Sequence, residues 1–321
     1  MHSTPPTSVV RRSSRLLALG LLLLCQACSI TSHRTEPGGF GRPSSLAAME
    51  ADMDRPGPIL LDSVVSADWR VPLGGLLNLD SAAAKHAHLS DNPAEPIQIY
   101  AHVLRHPTQG VFLVDTGVSA KILADPGRYG LHWLLRQFMP LDAIQIRKPT
   151  EQIVEQLPGK LQGVLFTHLH IDHISGMPDI APTVPLYVGR GEASTPSFLN
   201  LFVQGASDAL LDGKAPLREL ASAGAADEPL SGVVDVFGDG SLFALNVPGH
   251  TPGSVAYLAR TPQGPILLTG DTCHTSWGWT HSVEPGSYTT DQPMNRRSLL
   301  ALKALAERHP ALRVRLGHQP L

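Results

Sequence analysis

From residue 59 onward, short apolar runs alternate with Gly- and Pro-rich turns and with stretches of helical spacing. Residues 97–104 and 111–114 flank Pro107-Thr108-Gln109-Gly110, which predicts a hairpin. A second hairpin is expected from 233–237 and 242–247 around Gly238-Asp239-Gly240, and a further strand pair from 254–259 and 265–269. The run 161–167 reads as a buried strand and 314–316 as a last short one. Leu131, Leu134, Leu135 and Phe138 follow i, i+3, i+4, i+7 spacing, with Trp133 beside them, and predict an amphipathic helix. Leu299, Leu302 and Leu305 mark one side of a helix over 296–309, which Pro310 stops. Strands interleaved with helices place the chain in the α/β class. Several strands end directly before a His or an Asp, and polar side chains on loops over a rigid sheet are the usual way such a scaffold builds a site.

The N-terminal segment is a separate object. Arg11, Arg12 and Arg15 precede the apolar run 16–24 and the stretch Cys25-Gln26-Ala27-Cys28-Ser29. The run is too short to span a bilayer, and its order matches a secretory signal peptide over 1–27. Ala27-Cys28 also resembles the end of a bacterial lipobox, in which the Cys becomes lipid-modified and the mature N-terminus. The expectation is a periplasmic lipoprotein anchored to the membrane through Cys28, with soluble secretion after cleavage near Ala27 as the alternative. Residues 28–58, rich in Ser, Thr, Gly and Pro, read as a tether, and 59–321 as one folded domain.

Composition narrows the classes. Of 321 residues 42% are hydrophobic and 17% charged, enough for a large core and against disorder. Formal net charge is −3 and no dense Lys/Arg stretch occurs beyond the N-terminus, so nucleic acid is not an expected partner. Beyond the signal only Cys28 and Cys273 remain, which excludes a disulfide framework in practice.

The chemistry concentrates in His168-Leu169-His170-Ile171-Asp172-His173. His168 and His170, two apart in extended chain, project to one side, and a turn after them can bring Asp172 and His173 towards a second position. Imidazole nitrogen and carboxylate oxygen suit zinc and other first-row divalent metals. Further ligand types follow strands in Pro248-Gly249-His250-Thr251-Pro252-Gly253, Leu268-Thr269-Gly270-Asp271 and Leu316-Gly317-His318, and Val114-Asp115-Thr116-Gly117 places an earlier acid in a turn. A lone His at a strand end is usually a surface or core residue; the weight lies in the whole constellation.

These motifs, in this order from about residue 97 to 318, resemble the metallo-β-lactamase superfamily. The resemblance implies an αββα sandwich, two mixed β-sheets packed face to face with helices on the outer faces. It implies a first ion on His168, His170 and His250, a second on Asp172, His173 and His318, and Asp271 bridging both. Asp115 would orient the ligand loop by hydrogen bonding. Five neutral His and two Asp set −2 against +4 from two divalent ions. Such a site lowers the pKa of water from about 15.7 towards 7. Zinc is the expected metal, and iron or manganese suit the same ligands.

Within that superfamily, Arg105-His106-Pro107, the Gly238-Asp239-Gly240 turn and Asp271 look most like the N-acyl homoserine lactone lactonase branch. The implied function is a dinuclear hydrolase that uses a metal-bridging hydroxide to cleave a small-molecule carboxylic ester, above all a lactone. Asp172, Asp271 and His274 are its expected catalytic residues. His274 stands where these lactonases commonly have Tyr, and would donate a hydrogen bond or shuttle a proton. Trp277 and Trp279 are expected on the pocket wall. Leu134, Phe138, Phe198, Leu201 and Phe202, from the insertions 118–160 and 190–232, would form an acyl or aryl pocket. A β-lactamase, an organophosphate or thioester hydrolase, and a mononuclear iron sulfur dioxygenase using only His168, His250 and Asp271 are the alternatives.

Overall fold

Successive residues of a strand point to opposite faces, so a strand that is apolar throughout needs cover on both sides. The strand Gly110–Val114 shows the consequence: Val111 and Leu113 enter one core, Phe112 and Val114 another. In Val255–Thr261, Ala256 and Leu258 likewise point away from Val255, Tyr257 and Ala259. A computed structural model, which describes residues 28–137, 139–197 and 200–320, resolves this alternation into two sheets. The expected signal peptide over 1–27 lies outside the described residues.

The larger sheet comprises β1 (Thr35–Phe40), β3 (Leu60–Val71), β4 (Glu95–His106), β5 (Gly110–Val114), β6 (Gln145–Ile146), β7 (Leu161–Leu165), β8 (Leu186–Val188) and β9 (Leu217–Leu220). Its order is β1-β9-β8-β7-β5-β4-β3-β6. The smaller comprises β2 (Arg42–Pro43), β10 (Val234–Asp235), β11 (Leu242–Asn246), β12 (Val255–Thr261), β13 (Gly264–Leu268) and β14 (Arg313–Arg315), in the order β14-β13-β12-β11-β10-β2. Both sheets mix parallel and antiparallel pairs. All three expected strand pairs form: β4 with β5, β10 with β11, and β12 with β13.

Leu104, Phe112, Val114 and Leu165 of the larger sheet meet Leu242, Tyr257, Ile266 and Leu268 of the smaller in a shared core. Helices Ala120–Ala124, Thr150–Glu155, Ile171–Ile174 and Asn200–Leu211 cover the larger sheet's other face through Ile122, Ile153, Ile174 and Leu210. Helices Leu46–Met53 and Gln292–Arg308 cover the smaller sheet through Met53, Leu302 and Leu305. This is the αββα sandwich. A polar clamp joins its halves at one end: His106, closing β4, meets Asp239 in the β10–β11 turn at 2.9 Å, and its ring packs on Phe237.

Strand direction gathers the functional loops. β5 and β7 are parallel, so Asp115 and the His168–His173 run leave the larger sheet at the same end. In the smaller sheet β11 and β13 are both antiparallel to β12, and β14 is parallel to β13. His250, Asp271 and His318 therefore also follow strands that run one way.

Two expectations need correction. Residues 28–58 are not a free tether. β1 pairs with β9 at the edge of the larger sheet, and β2 pairs with β10 in the smaller. Gly41 turns the chain between them at φ 90°, and a Cβ there would meet Val234 at 2.4 Å. Phe40 stacks on Tyr187, and Ile30, Met49 and Met53 are buried. A few large apolar side chains among many small polar ones suffice to anchor the segment, which average composition conceals. The helix expected across Leu131–Phe138 shrinks to Trp133–Arg136. Leu131 is buried below it, whereas Trp133 is 73% exposed and Phe138 lies outside the described residues.

Met53→Ala is expected to lower unfolding free energy by about 2–5 kcal/mol in a denaturant titration, because the site cannot collapse between helix and sheet. A chain starting at residue 59 is expected to unfold well before one starting at 28. Equal midpoints would show that the segment contributes nothing.

Candidate metal centre

Asp115 sits at φ 55°, a left-handed conformation that Asp tolerates better than most residues, and Gly117 completes the turn at φ 68°. Its carboxylate then faces the loop after β7. Oδ1 accepts the Thr167 N–H at 2.8 Å, and Oδ2 accepts both the Thr167 hydroxyl and His173 Nδ1–H, each at 2.8 Å. The Thr167 hydroxyl, its proton so committed, accepts His168 Nδ1–H at 3.1 Å. The one-turn helix Ile171–Ile174 returns Asp172 and His173 towards the centre. Across the site, His318 Nδ1 donates to the Gln98 carbonyl at 2.9 Å, and His250 Nδ1 lies 3.2 Å from the Thr289 hydroxyl.

These contacts fix the imidazoles so that His168, His173, His250 and His318 present Nε2 inward; His170 presents Nδ1, 2.8 Å from His250 Nε2. The inward atoms converge on Asp271 Oδ2, which lies 3.7 Å from His168, 3.2 Å from His173, 3.5 Å from His250 and 3.2 Å from His318. Asp172 Oδ2 is 3.2 Å from His318. Gly317 is required here, because a Cβ on it would meet Asp271 Oδ1 at 2.2 Å. Two ligand groups result, His168–His170–His250 and Asp172–His173–Asp271–His318, each with its donor atoms within 4.8 Å of one another. All seven residues expected as ligands are brought together.

Buried polar atoms in proteins are almost always paired. Here His168 Nε2, His173 Nε2 and Asp271 Oδ1 are buried without a hydrogen-bond partner. Unpaired polar atoms gathered around a carboxylate fit bound cations, and the residues present fit a metal centre.

The two groups differ electrostatically. Burial, then the neighbouring imidazoles, hold His168 and His250 well below the usual imidazole pKa, and burial brings His170 to about 4. All three are neutral and ready to coordinate. In the second group burial also favours neutral rings, but carboxylates outweigh it. Asp271, Asp115 and Asp172 push His173 well up, and Asp271 and Asp172 push His318 up to about 10. Without an ion, protons supply the positive charge these carboxylates require. Ion binding at neutral pH must therefore displace protons from His173 and His318. Apparent metal affinity is expected to rise with pH from about 6 to 9, with proton release seen by calorimetry in buffers of different ionisation enthalpy. A pH-independent affinity would contradict this assignment.

Glu192 was not apparent in the sequence. It follows β8 and is buried. Its Oε1 accepts the Leu169 N–H at 2.7 Å, between His168 and His170; its Oε2 accepts the Thr251 hydroxyl at 2.6 Å and the Gly253 N–H at 3.0 Å, beside His250. One carboxylate thus ties both loops of the first ligand group. Burial raises its pKa, and these hydrogen bonds oppose the rise. Glu192→Gln is expected to weaken metal binding by about 10–100-fold in chelator competition, since an amide cannot accept all three bonds. Unchanged affinity would reduce Glu192 to a packing residue.

A cavity of about 390 Å³ opens on the ligands and is walled by Trp69, Val71, Leu76, Ile97, Leu135, Met139, Phe202, Val203 and Tyr288. Of the expected pocket residues, Phe202 lines it. Leu201 is 46% exposed, Phe138, Phe198 and the Leu134 side chain lie outside what the structure describes, and Leu135 and Met139 are on the wall. Trp277 and Trp279 are elsewhere: Trp277 stacks on His281, and Trp279 packs on helix Gln292–Arg308, where Lys303 lies over its ring. Trp69 takes their place, and the alternation Ala67, Trp69, Val71 in β3 carries a period-2 signal for it. Cys273 is buried, and burial pushes its thiol up to about 12, so it is a small core residue. His274 is buried beside Asp271.

Comparison with known proteins agrees with this geometry. The pattern of the metallo-beta-lactamase superfamily matches residues 94–318. An N-acyl homoserine lactonase, AttM, of Agrobacterium fabrum is 30% identical over 227 residues, covering 68% of this chain and 80% of the relative. A solved quorum-quenching N-acyl homoserine lactone lactonase superposes with a TM-score of 0.58 at 17% identity, covering 83% of this chain and 94% of that one. AidC, described as a dizinc quorum-quenching lactonase, superposes with a TM-score of 0.53 at 14% identity, over 88% and 92% of the two chains.

Proposed function

Since the chain belongs to the metallo-β-lactamase superfamily and is a metal-dependent hydrolase of ester bonds, we propose that it opens a lactone bearing an apolar substituent, on a centre of two divalent ions, zinc by preference. One observation carries the reading. Asp271 Oδ2 stands within 3.7 Å of ring nitrogens from both ligand groups, and an apolar cavity opens directly onto them.

His168, His170 and His250 would hold one ion, Asp172, His173 and His318 the other, with Asp271 between them. When bound, the ions supply Lewis acidity and make water a nucleophile near neutral pH. The chain's own residues do the rest. Asp115, Thr289 and the Gln98 carbonyl hold ligand rings, and Glu192 the loops that carry them, before substrate arrives, so little reorganisation is left for the reaction. Trp69, Val71, Ile97, Met139 and Phe202 exclude water and receive the apolar part of the substrate. Lactonases among the relatives support a carboxylic ester over a phosphate ester or a β-lactam.

The mononuclear oxygenase reading needs His168, His250 and Asp271 alone. It leaves unexplained why Asp172, His173 and His318 are held in the same cluster with their own supporting hydrogen bonds.

Elemental analysis of wild type and Asp271→Ala, beside a lactone, aryl-ester, organophosphate and β-lactam turnover panel, tests the proposal. Two divalent ions and lactone turnover are expected in wild type. The variant is expected to lose turnover by on the order of 10³, the scale of removing one transition-state electrostatic contact. One iron per chain, oxygen consumption and no hydrolysis would overturn it.

A further inference from the structure

His274 shares the signature of the ligand imidazoles. It follows Asp271 by three residues, emerging from the turn Gly270–Thr272 just before Thr275 caps the helix Ser276–His281. Its side chain is 1% exposed. Nδ1 lies 3.1 Å from the Leu76 carbonyl, and a carbonyl only accepts, so the ring proton sits on Nδ1. In that tautomer Nε2 is the nitrogen that carries the lone pair. That atom is buried, has no hydrogen-bond partner, and points at Asp271 Oδ2 from 3.0 Å. A lone pair facing a carboxylate oxygen in a buried site is repulsive unless a proton or a metal ion lies against both, and the geometry at Nε2 makes no hydrogen bond. Metal–ligand bonds of about 2.0–2.2 Å at angles of about 90–110° place two ligands of one ion roughly 2.8–3.6 Å apart, which this spacing meets. With His250 and Asp271, the His274 nitrogen forms a third group whose donor atoms all lie within 4.8 Å of one another.

We propose that His274 is an eighth protein ligand of the metal centre, binding through Nε2 on the His250 side of Asp271. The inference rests on the two-ion reading above and adds to it. A Tyr at this position would offer a hydroxyl donor; the imidazole, its Nδ1–H already given to Leu76, offers a lone pair. The centre is therefore more enclosed by protein, and its first ion held more tightly, than a seven-ligand set allows.

The test loads the protein, residues 28–321, with cadmium-113 and labels histidine with nitrogen-15. Expected is a metal–nitrogen coupling to His274 Nε2, assigned by its loss in His274→Tyr. Competition with a chelating dye should show metal affinity reduced about tenfold or more in both His274→Ala and His274→Tyr. The cobalt-substituted visible spectrum should shift in both. Thermal unfolding of the metal-free variants separates lost ligation from lost folding, and the wild-type coupling needs no variant at all. Bound cadmium without coupling to His274 overturns this inference and leaves the two-ion reading intact. No cadmium uptake overturns both.

Discussion

A carboxylate in a buried pocket surrounded by imidazole nitrogens is the contact around which the molecule is organised. Asp271 Oδ2 lies within 3.7 Å of ring nitrogens from His168, His173, His250, His274 and His318. Those groups leave water at a high cost, and nothing in the apolar cores around them compensates. The cluster is satisfied by positive charge between the side chains, either protons shared among the second ligand group or metal ions. Each surrounding element keeps the donors in place despite their poor company.

That support is graded. Nearest the ligands stand acceptors that fix ring orientation: Asp115 for His173, the Gln98 carbonyl for His318 and the Leu76 carbonyl for His274. Behind them Glu192 holds two ligand loops through three hydrogen bonds, none of them to a ligand side chain. Farther out, the two sheets supply rigid strand ends, and the core of Phe112, Leu165, Tyr257 and Leu268 keeps those ends in register. Binding free energy for a metal at this cluster would thereby be coupled to folding, since the donor positions exist only when both sheets are packed.

The substrate side is built differently. Much of the cavity wall comes from β3, from the segment that includes Leu135 and Met139, and from helix Asn200–Leu211, elements outside the ligand loops. Variation there alters what is accommodated without disturbing the centre, which is how one metal scaffold serves many esters. The N-terminal segment, by contrast, serves the scaffold: β1 and β2 add to both sheets and Met49 and Met53 complete a core.

Much of this was legible in the chain. Ligand types stand directly after short apolar strands, because strand ends are where a sheet presents polar groups; that pattern, read with the family resemblance, singled out His168, His170, Asp172, His173, His250, Asp271 and His318 as candidates, and the fold brings them together. The same locality made the hairpins readable, since a turn and its flanking alternation lie within a few residues. The anchored segment 28–58, the shortened helix at Trp133–Arg136, the role of Glu192 and the cavity wall of Trp69 and Met139 were not. Each depends on contacts between residues far apart in sequence, so local spacing carries no trace of the partner. His274 shows the division most clearly. Its position near Asp271 is a matter of sequence, but which of its nitrogens bears the proton was decided by a carbonyl 198 residues away.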